Sequence, residues 1–280
     1  MARPGILNMR RLRHPGPVLS PRVQTVDCRA HPVSLILRAG RTVADAVASA
    51  LAAAGYEAGY LRLDGLEMTH LAYVIPAAAP GDGRVAWYSD TRTKAPCRIE
   101  AGGIHLGLRD GQPFCHGHGL WRDQCGQLAA GHLRADESVI GQDCTITGWG
   151  LTGAHLEVHD DPETRFPVFA LHAAKALPQG RRAHLCRIRP NEDLVTVLDE
   201  MKLPDGAVIE GLGSLVGAGF SDGSTLNCDA AEILIVNGRL CRGRVALQVV
   251  ATGDDGTVAQ GDLAKGLNAV CITAELLIVT

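Results

Sequence analysis

Two histidines one residue apart, His116 and His118 in Phe114-Cys115-His116-Gly117-His118-Gly119, precede a third in Gly131-His132-Leu133. Along an extended strand alternate side chains share a face, so His116 and His118 point together and Cys115 points away. The segment between them and His132 carries Asp123-Gln124-Cys125-Gly126, turn chemistry that folds a chain back on itself. A return strand would then bring His132 to the pair. Three neutral imidazoles suit Zn²⁺ and leave a coordination position open. Such a centre lowers the pKa of bound water and polarises a carbonyl or carboxylate, which fits hydrolysis, elimination, aldol-type cleavage or enolisation.

That chemistry also needs a proton carrier and a substrate anchor. Glu67, just after Gly65-Leu66, is the candidate base. Arg98 and Arg165 are candidate anchors, because a guanidinium binds a carboxylate through two parallel hydrogen bonds. Trp121, close to His118 in sequence, could wall a pocket. His105 is expected on a neighbouring strand in a supporting or core role. His70 either joins Glu67 or sits on a turn. His155, His159 and His172 show no regular ligand spacing and read as structural or solvated.

The elements that would position these residues occur twice. Arg29-Ala30-His31 leads into Val33–Gly40, and Arg182-Ala183-His184 leads into Leu185–Asn191, each a strand followed by a turn. Thr42–Ala54 then reads as a helix with Thr42 as its N-cap, Asp45 three residues on and Gly55 as its stop. Its counterpart is Glu192–Lys202. Two strands with a glycine step follow, Tyr60–Leu66 against Ala207–Leu212, with Gly65 matched to Gly211. Further on, Ile104–Leu133 matches Ile233–Leu263, where Thr252–Gly256 is the turn. This alignment sets His116, His118 and His132 against Ala246, Gln248 and Asp262, so the second copy lacks the triad. The expected fold is α+β: two repeated domains, each a mainly antiparallel sheet packed with one main helix. The expected boundaries are a flexible basic arm over 1–28, a first repeat over 29–152, a linker over 153–181 containing Pro162, Pro167 and Pro178, and a second repeat over 182–280.

The 280 residues are 46% hydrophobic and 20% charged, with 33 glycines and a net charge of −3. Such a chain buries its own core, and its charge gives no overall reason to expect a nucleic-acid partner. Nine dispersed cysteines without a Cys-x-x-Cys pair argue against a disulfide framework and for a reducing cytoplasm. The start, with Arg3, Arg10, Arg11, Arg13 and Arg22, is no secretory signal, and no run is apolar enough to span a membrane.

His184-Leu185-Cys186-Arg187-Ile188-Arg189-Pro190-Asn191-Glu192-Asp193-Leu194, the glycine step at Gly211 and Gly213, and Gly131-His132-Leu133 resemble the plants-and-prokaryotes conserved (PPC) domain. The resemblance covers both repeats, from about residue 31 onward. It implies an α+β domain that assembles as trimers, and a zinc site at the positions of His116, His118 and His132, as in many bacterial members. Plant members pair the domain with an AT-hook built around Arg-Gly-Arg-Pro. Here the nearest approach is Ala2-Arg3-Pro4-Gly5, which lacks the second arginine needed in the minor groove. A two-copy chain could form a closed homotrimer of stacked rings or a dimer. Three functions follow: a zinc-dependent lyase, hydrolase or isomerase acting on a small acid, a DNA-binding regulator with structural or sensory zinc, or a noncatalytic metabolite-binding module.

Overall fold

The structure, a computed structural model, describes residues 10–175 and 178–280. Arg3 and the segment compared with an AT-hook lie outside the described residues. The first half contains β1 (Val23–Leu37), α1 (Val43–Ala53), β2 (Ala58–Arg62), β3 (Glu67–Val74), β4 (Pro76–Ala77) and β5 (Trp87–Tyr88). It continues through β6 (Arg92–Lys94), β7 (Cys97–Arg109), β8 (Gln112–Asp123), β9 (Leu128–Leu133), β10 (Val139–Ile140) and β11 (Cys144–Thr152). A hairpin of β12 (Ala154–Asp160) and β13 (Pro167–Ala173) leads to the second half. There follow β14 (Arg181–Ile188), α2 (Leu194–Glu200), β15 (Val208–Leu215), β16 (Ala218–Gly219) and β17 (Thr225–Leu226). The chain ends with β18 (Ala231–Cys241), β19 (Arg244–Thr252), β20 (Val258–Asp262) and β21 (Val270–Val279).

Seventeen of these strands form one continuous, branching sheet. Its seam is β1, long enough to pair with β14 through Val23–Ala30 and with β11 through Arg29–Leu37. From the seam the order runs β1, β11, β2, β7, β8, β9 on one side. On the other it runs β14, β21, β15, β18, β19, β20, the same arrangement over again. All of these pairings are antiparallel, and one helix covers each half, so the fold is α+β with two repeated units.

Local chemistry explains the helices. Thr42 Oγ1 accepts from Asp45 N at 3.3 Å, satisfying a donor that the first turn leaves free. Val43, Ala46, Val47 and Leu51 then fall on one buried face. Gly55, at φ 86°, carries the chain out of the helix. In the second half Asp193 is the cap, accepting from Thr196 N at 2.8 Å, so α2 is shorter than the Glu192–Lys202 stretch read from sequence. Each half has its own core: Leu37, Leu61, Met68, Ile104 and Ile146 in the first, Ile188, Leu198, Ile233, Val249 and Leu276 in the second. A third cluster, including Tyr60, Leu156, Phe169 and Leu277, packs under the seam.

Three sequence expectations need correction. The segment 153–181 is no irregular linker, because β12 and β13 pair along their whole length. Pro167 is tolerated as the first residue of its strand, where a missing N–H costs little. The arm read over 1–28 is docked from residue 10 and enters β1 at Val23. Arg10 donates to Cys228 O and pairs with Asp229, Leu12 N donates to Asn191 Oδ1, and Arg22 pairs with Glu163 and Glu192. Nor do Gly65 and Gly211 share a role. Gly65, at φ 82°, makes the turn between β2 and β3, whereas Gly211, at φ 148°, lies within β15, where a side chain would collide with the Glu275 carbonyl.

Candidate metal centre

Strand β8 lies between β7 and β9, and its alternation decides what meets what. Cys115 and Trp121 turn into the first-half core, while His116 and His118 emerge on the opposite face. Asp123 Oδ1 then accepts from the backbone N–H groups of Cys125 at 3.0 Å and Gln127 at 2.9 Å, closing a turn completed by Gly126 at φ 81°. The turn places His132 directly across from His118, as Asp262 lies across from Gln248 in the second half. His105 lies across from His116. Ligand atoms of His116, His118 and His132 all fall within 4.8 Å of one another, and the Nε2 atoms of His116 and His118 are 3.2 Å apart.

The second half backs this triad. His116 Nδ1 donates to Glu275 Oε2 at 2.6 Å, and His118 Nδ1 donates to the carbonyl of Ile233 at 2.8 Å. Both partners can only accept, so a neutral ring has its lone pair on Nε2, turned toward the other ring. Two such lone pairs at 3.2 Å repel unless a proton or a metal ion lies between them. Ligands about 2.1 Å from a tetrahedral ion sit ~3.4 Å apart, so the spacing fits one. His132 Nδ1 is buried without a hydrogen-bond partner, a further site that an ion would complete.

Burial pushes His118 and His132 well below the ordinary imidazole range, and neighbouring His116 adds to the effect. These two are therefore neutral, the form that binds metal. Burial also disfavours charge on His116, but Glu275 and then Glu232 outweigh it and raise its pKa. Burial pushes Glu232 up to about 7; its Oε2 lies 3.2 Å from His118 Nε2. His105 is driven down to about 4 by burial and donates through Nε2 to the Glu275 carbonyl at 3.1 Å. It supports the strand that carries Glu275.

A cavity of about 580 Å³ opens beside His116 and His132. Tyr88, Phe114, Phe166 and Phe169 give it aromatic walls, and Glu232 and Glu275 are acidic groups along it. Arg109 stands at its edge with its guanidinium 3.7 Å over the Phe114 ring, and has no ion pair among the described residues. Arg134 also lines the cavity but is engaged by Asp136 and Glu137.

Five residues singled out from sequence lie elsewhere. Glu67 and Arg98 face each other across β3 and β7, 3.8 Å apart, and neither lines the cavity. The argument for Glu67 rested on the Gly65–Gly211 match, which the fold does not keep. Arg165 sits in a left-handed turn at φ 58° with Nη1 3.5 Å from the Asp82 carbonyl, also off the cavity. Trp121 is fully buried against the edge of Tyr73, because an odd number of residues from His118 reverses its face. His70 pairs opposite Val139, away from the triad. Arg109, by contrast, was legible in principle: in the β7–β8 register it shares a face with His105, Phe114 and His116.

No family model matches the sequence, and neither does any curated protein. Solved structures do match. A protein from Ralstonia eutropha JMP134, provisionally named as DNA-binding, is 18% identical with a TM-score of 0.41, covering 51% of this chain and 96% of its own. A metal-containing protein from Archaeoglobus fulgidus is 20% identical with a TM-score of 0.39, covering 51% of this chain and 94% of its own. A plant- and prokaryote-conserved (PPC) protein from Pyrococcus horikoshii is 14% identical with a TM-score of 0.38 and the same two coverages as the Archaeoglobus protein. No described helix is long and apolar enough to cross a membrane.

Proposed function

We propose that this chain is a tandem member of the plants-and-prokaryotes conserved domain family, with one zinc centre built where its two halves meet and used on a small carboxylate or other oxygen-rich metabolite. The family reading rests on the motifs around His184–Leu194 and Gly131–Leu133. The observation that carries the functional reading is the convergence of His116, His118 and His132, the first and last of them lining a cavity that Arg109 also lines. Among common ions zinc suits three neutral imidazoles best, and when bound it supplies a Lewis acid with an open position.

The chain's own residues do the remaining work. Glu275 and the Ile233 carbonyl hold the His116 and His118 rings in one tautomer and orientation. Arg109, braced on Phe114, presents its donors to a carboxylate entering the cavity. Glu232 is placed to hold or release a proton at Oε2, next to His118. The aromatic walls keep bulk water away and strengthen each of these polar contacts. The set suits lyase, hydrolase or isomerase chemistry; the same residues without turnover would make a binding module.

The test is metal analysis of the purified chain, followed by thermal shift and turnover with a panel of small carboxylic acids in the presence of zinc. We expect tightly held zinc that His118→Ala removes, and at least tenfold weaker acid binding in Arg109→Ala. No saturable zinc binding, or acid binding indifferent to both changes, would overturn the reading. A DNA-associated role predicts duplex binding that weakens steeply with salt. We expect none, since the chain carries a net charge of −3 and, of the arm's arginines, Arg10 and Arg22 are paired with the protein's own carboxylates. A closed homotrimer is the proposed assembly, and light scattering measures it.

A further inference from the structure

The β12–β13 hairpin has two unlike faces. Leu156, Val158 and Phe169 turn inward, to the cluster beneath the seam, and the last two also wall the cavity. The outer face carries His155, Glu157 and His159 at alternate positions of β12, with His172 directly across from His155 on β13. We propose that this outer face is a second site for a divalent first-row metal ion of the zinc, nickel or copper class, held by Glu157, His159 and His172 with His155 in reach.

The distances support one ion shared by three ligands. His159 Nε2 and His172 Nε2 are 3.1 Å apart, and Glu157 Oε2 lies 3.7 Å from the first and 3.8 Å from the second. These values bracket the ~3.4 Å expected between ligands at about 2.1 Å from a tetrahedral centre. Ligand atoms of His155, Glu157 and His172 also lie within 4.8 Å of one another, so a fourth donor is at hand. The His155 and His172 rings stack at 5.3 Å with 18° between their planes. Half-exposed side chains have room to spread into solvent, yet three imidazoles crowd around one carboxylate. Two or three imidazoles with one carboxylate select late first-row ions over magnesium or calcium.

This site shares no ligand with the His116 centre and does not depend on it. An ion here would tie β12 to β13 and stiffen the strands whose inner side chains, Val158 and Phe169, wall the cavity.

Zinc titration of the full chain, freed of metal and measured against a chromophoric chelator, tests the proposal. Wild type should show two saturable events of different affinity. His172→Ala and Glu157→Gln should each weaken the second event at least tenfold and leave the first unchanged. His118→Ala should do the reverse, so failure of either site is read separately. Circular dichroism confirms that each variant is folded. The absence in wild type of any event that His172→Ala or His159→Ala weakens would overturn the second site.

Discussion

Replacing Glu275 with Gln separates charge from geometry at the triad. Glu275 is 1% exposed, and its Oε2 accepts from His116 Nδ1 at 2.6 Å. A glutamine can keep an acceptor oxygen at that position, so His116 keeps its tautomer and aim. What disappears is the negative charge behind a ring that would bind a dication. Removing a carboxylate that supports a metal-bound histidine costs ~10–100-fold in affinity. That corresponds to about 1.4–2.7 kcal/mol. Competitive zinc titration near neutral pH should show this loss in Glu275→Gln, and His116→Ala should lose far more. Thermal unfolding in chelator separates lost affinity from lost fold. If Glu275→Gln and Glu275→Ala both bind zinc as tightly as wild type, the second half does not back the centre and the reasoning fails.

Other predictions concern what holds the two halves in place. Asp161 Oδ2 accepts from Arg187 Nη2 at 2.6 Å and Arg189 Nη1 at 2.8 Å, all three residues being buried, so Asp161→Asn should cost ~3–5 kcal/mol in urea unfolding by stranding the Arg187 cation and leaving Arg189 only Glu163, at 3.8 Å. Burial opposes ionisation of Asp161, yet the arginines and the Thr164 N–H hold it down to about 2, below its ordinary 3.8. Its share of stability, about 2 kcal/mol, is present above pH 3.8 and lost as pH falls through 2, and that acid limb should be missing in the variant. Gly103→Ala would drive a methyl into the Tyr60 hydroxyl and Leu234, so a loss of ~1–3 kcal/mol and weaker zinc binding are expected from calorimetry and titration. Trp121→Ala should lower stability by ~3–5 kcal/mol without changing zinc stoichiometry, because the indole fills the core rather than the cavity wall.

Much of the triad was readable because its causes are local. Strand alternation paired His116 with His118, and the Asp123 turn fixed where His132 returns, both short-range rules. The cap at Thr42 was legible for the same reason. Glu232 and Glu275 were not, since each reaches the histidines only after the two halves pack, and no spacing within either half encodes that contact. Alternation of Leu156 and Val158 with His155, Glu157 and His159 is a strand signal that the linker reading, drawn from Pro162, Pro167 and Pro178, passed over. The match of Gly65 to Gly211 failed because a similar residue pair in sequence served a turn in one half and a strand interior in the other.

The shared strand β1 has a consequence for how this centre can change. In an assembly of identical subunits, a substitution on one side of a contact is imposed on the other side as well. Here the imidazoles belong to one half and the opposing carboxylates to the other, and the antiparallel pairing of β1 with β14 within one chain keeps them in register. Each side can therefore mutate without dragging its partner along, so the ligands and the groups that tune them are free to diverge within one gene product.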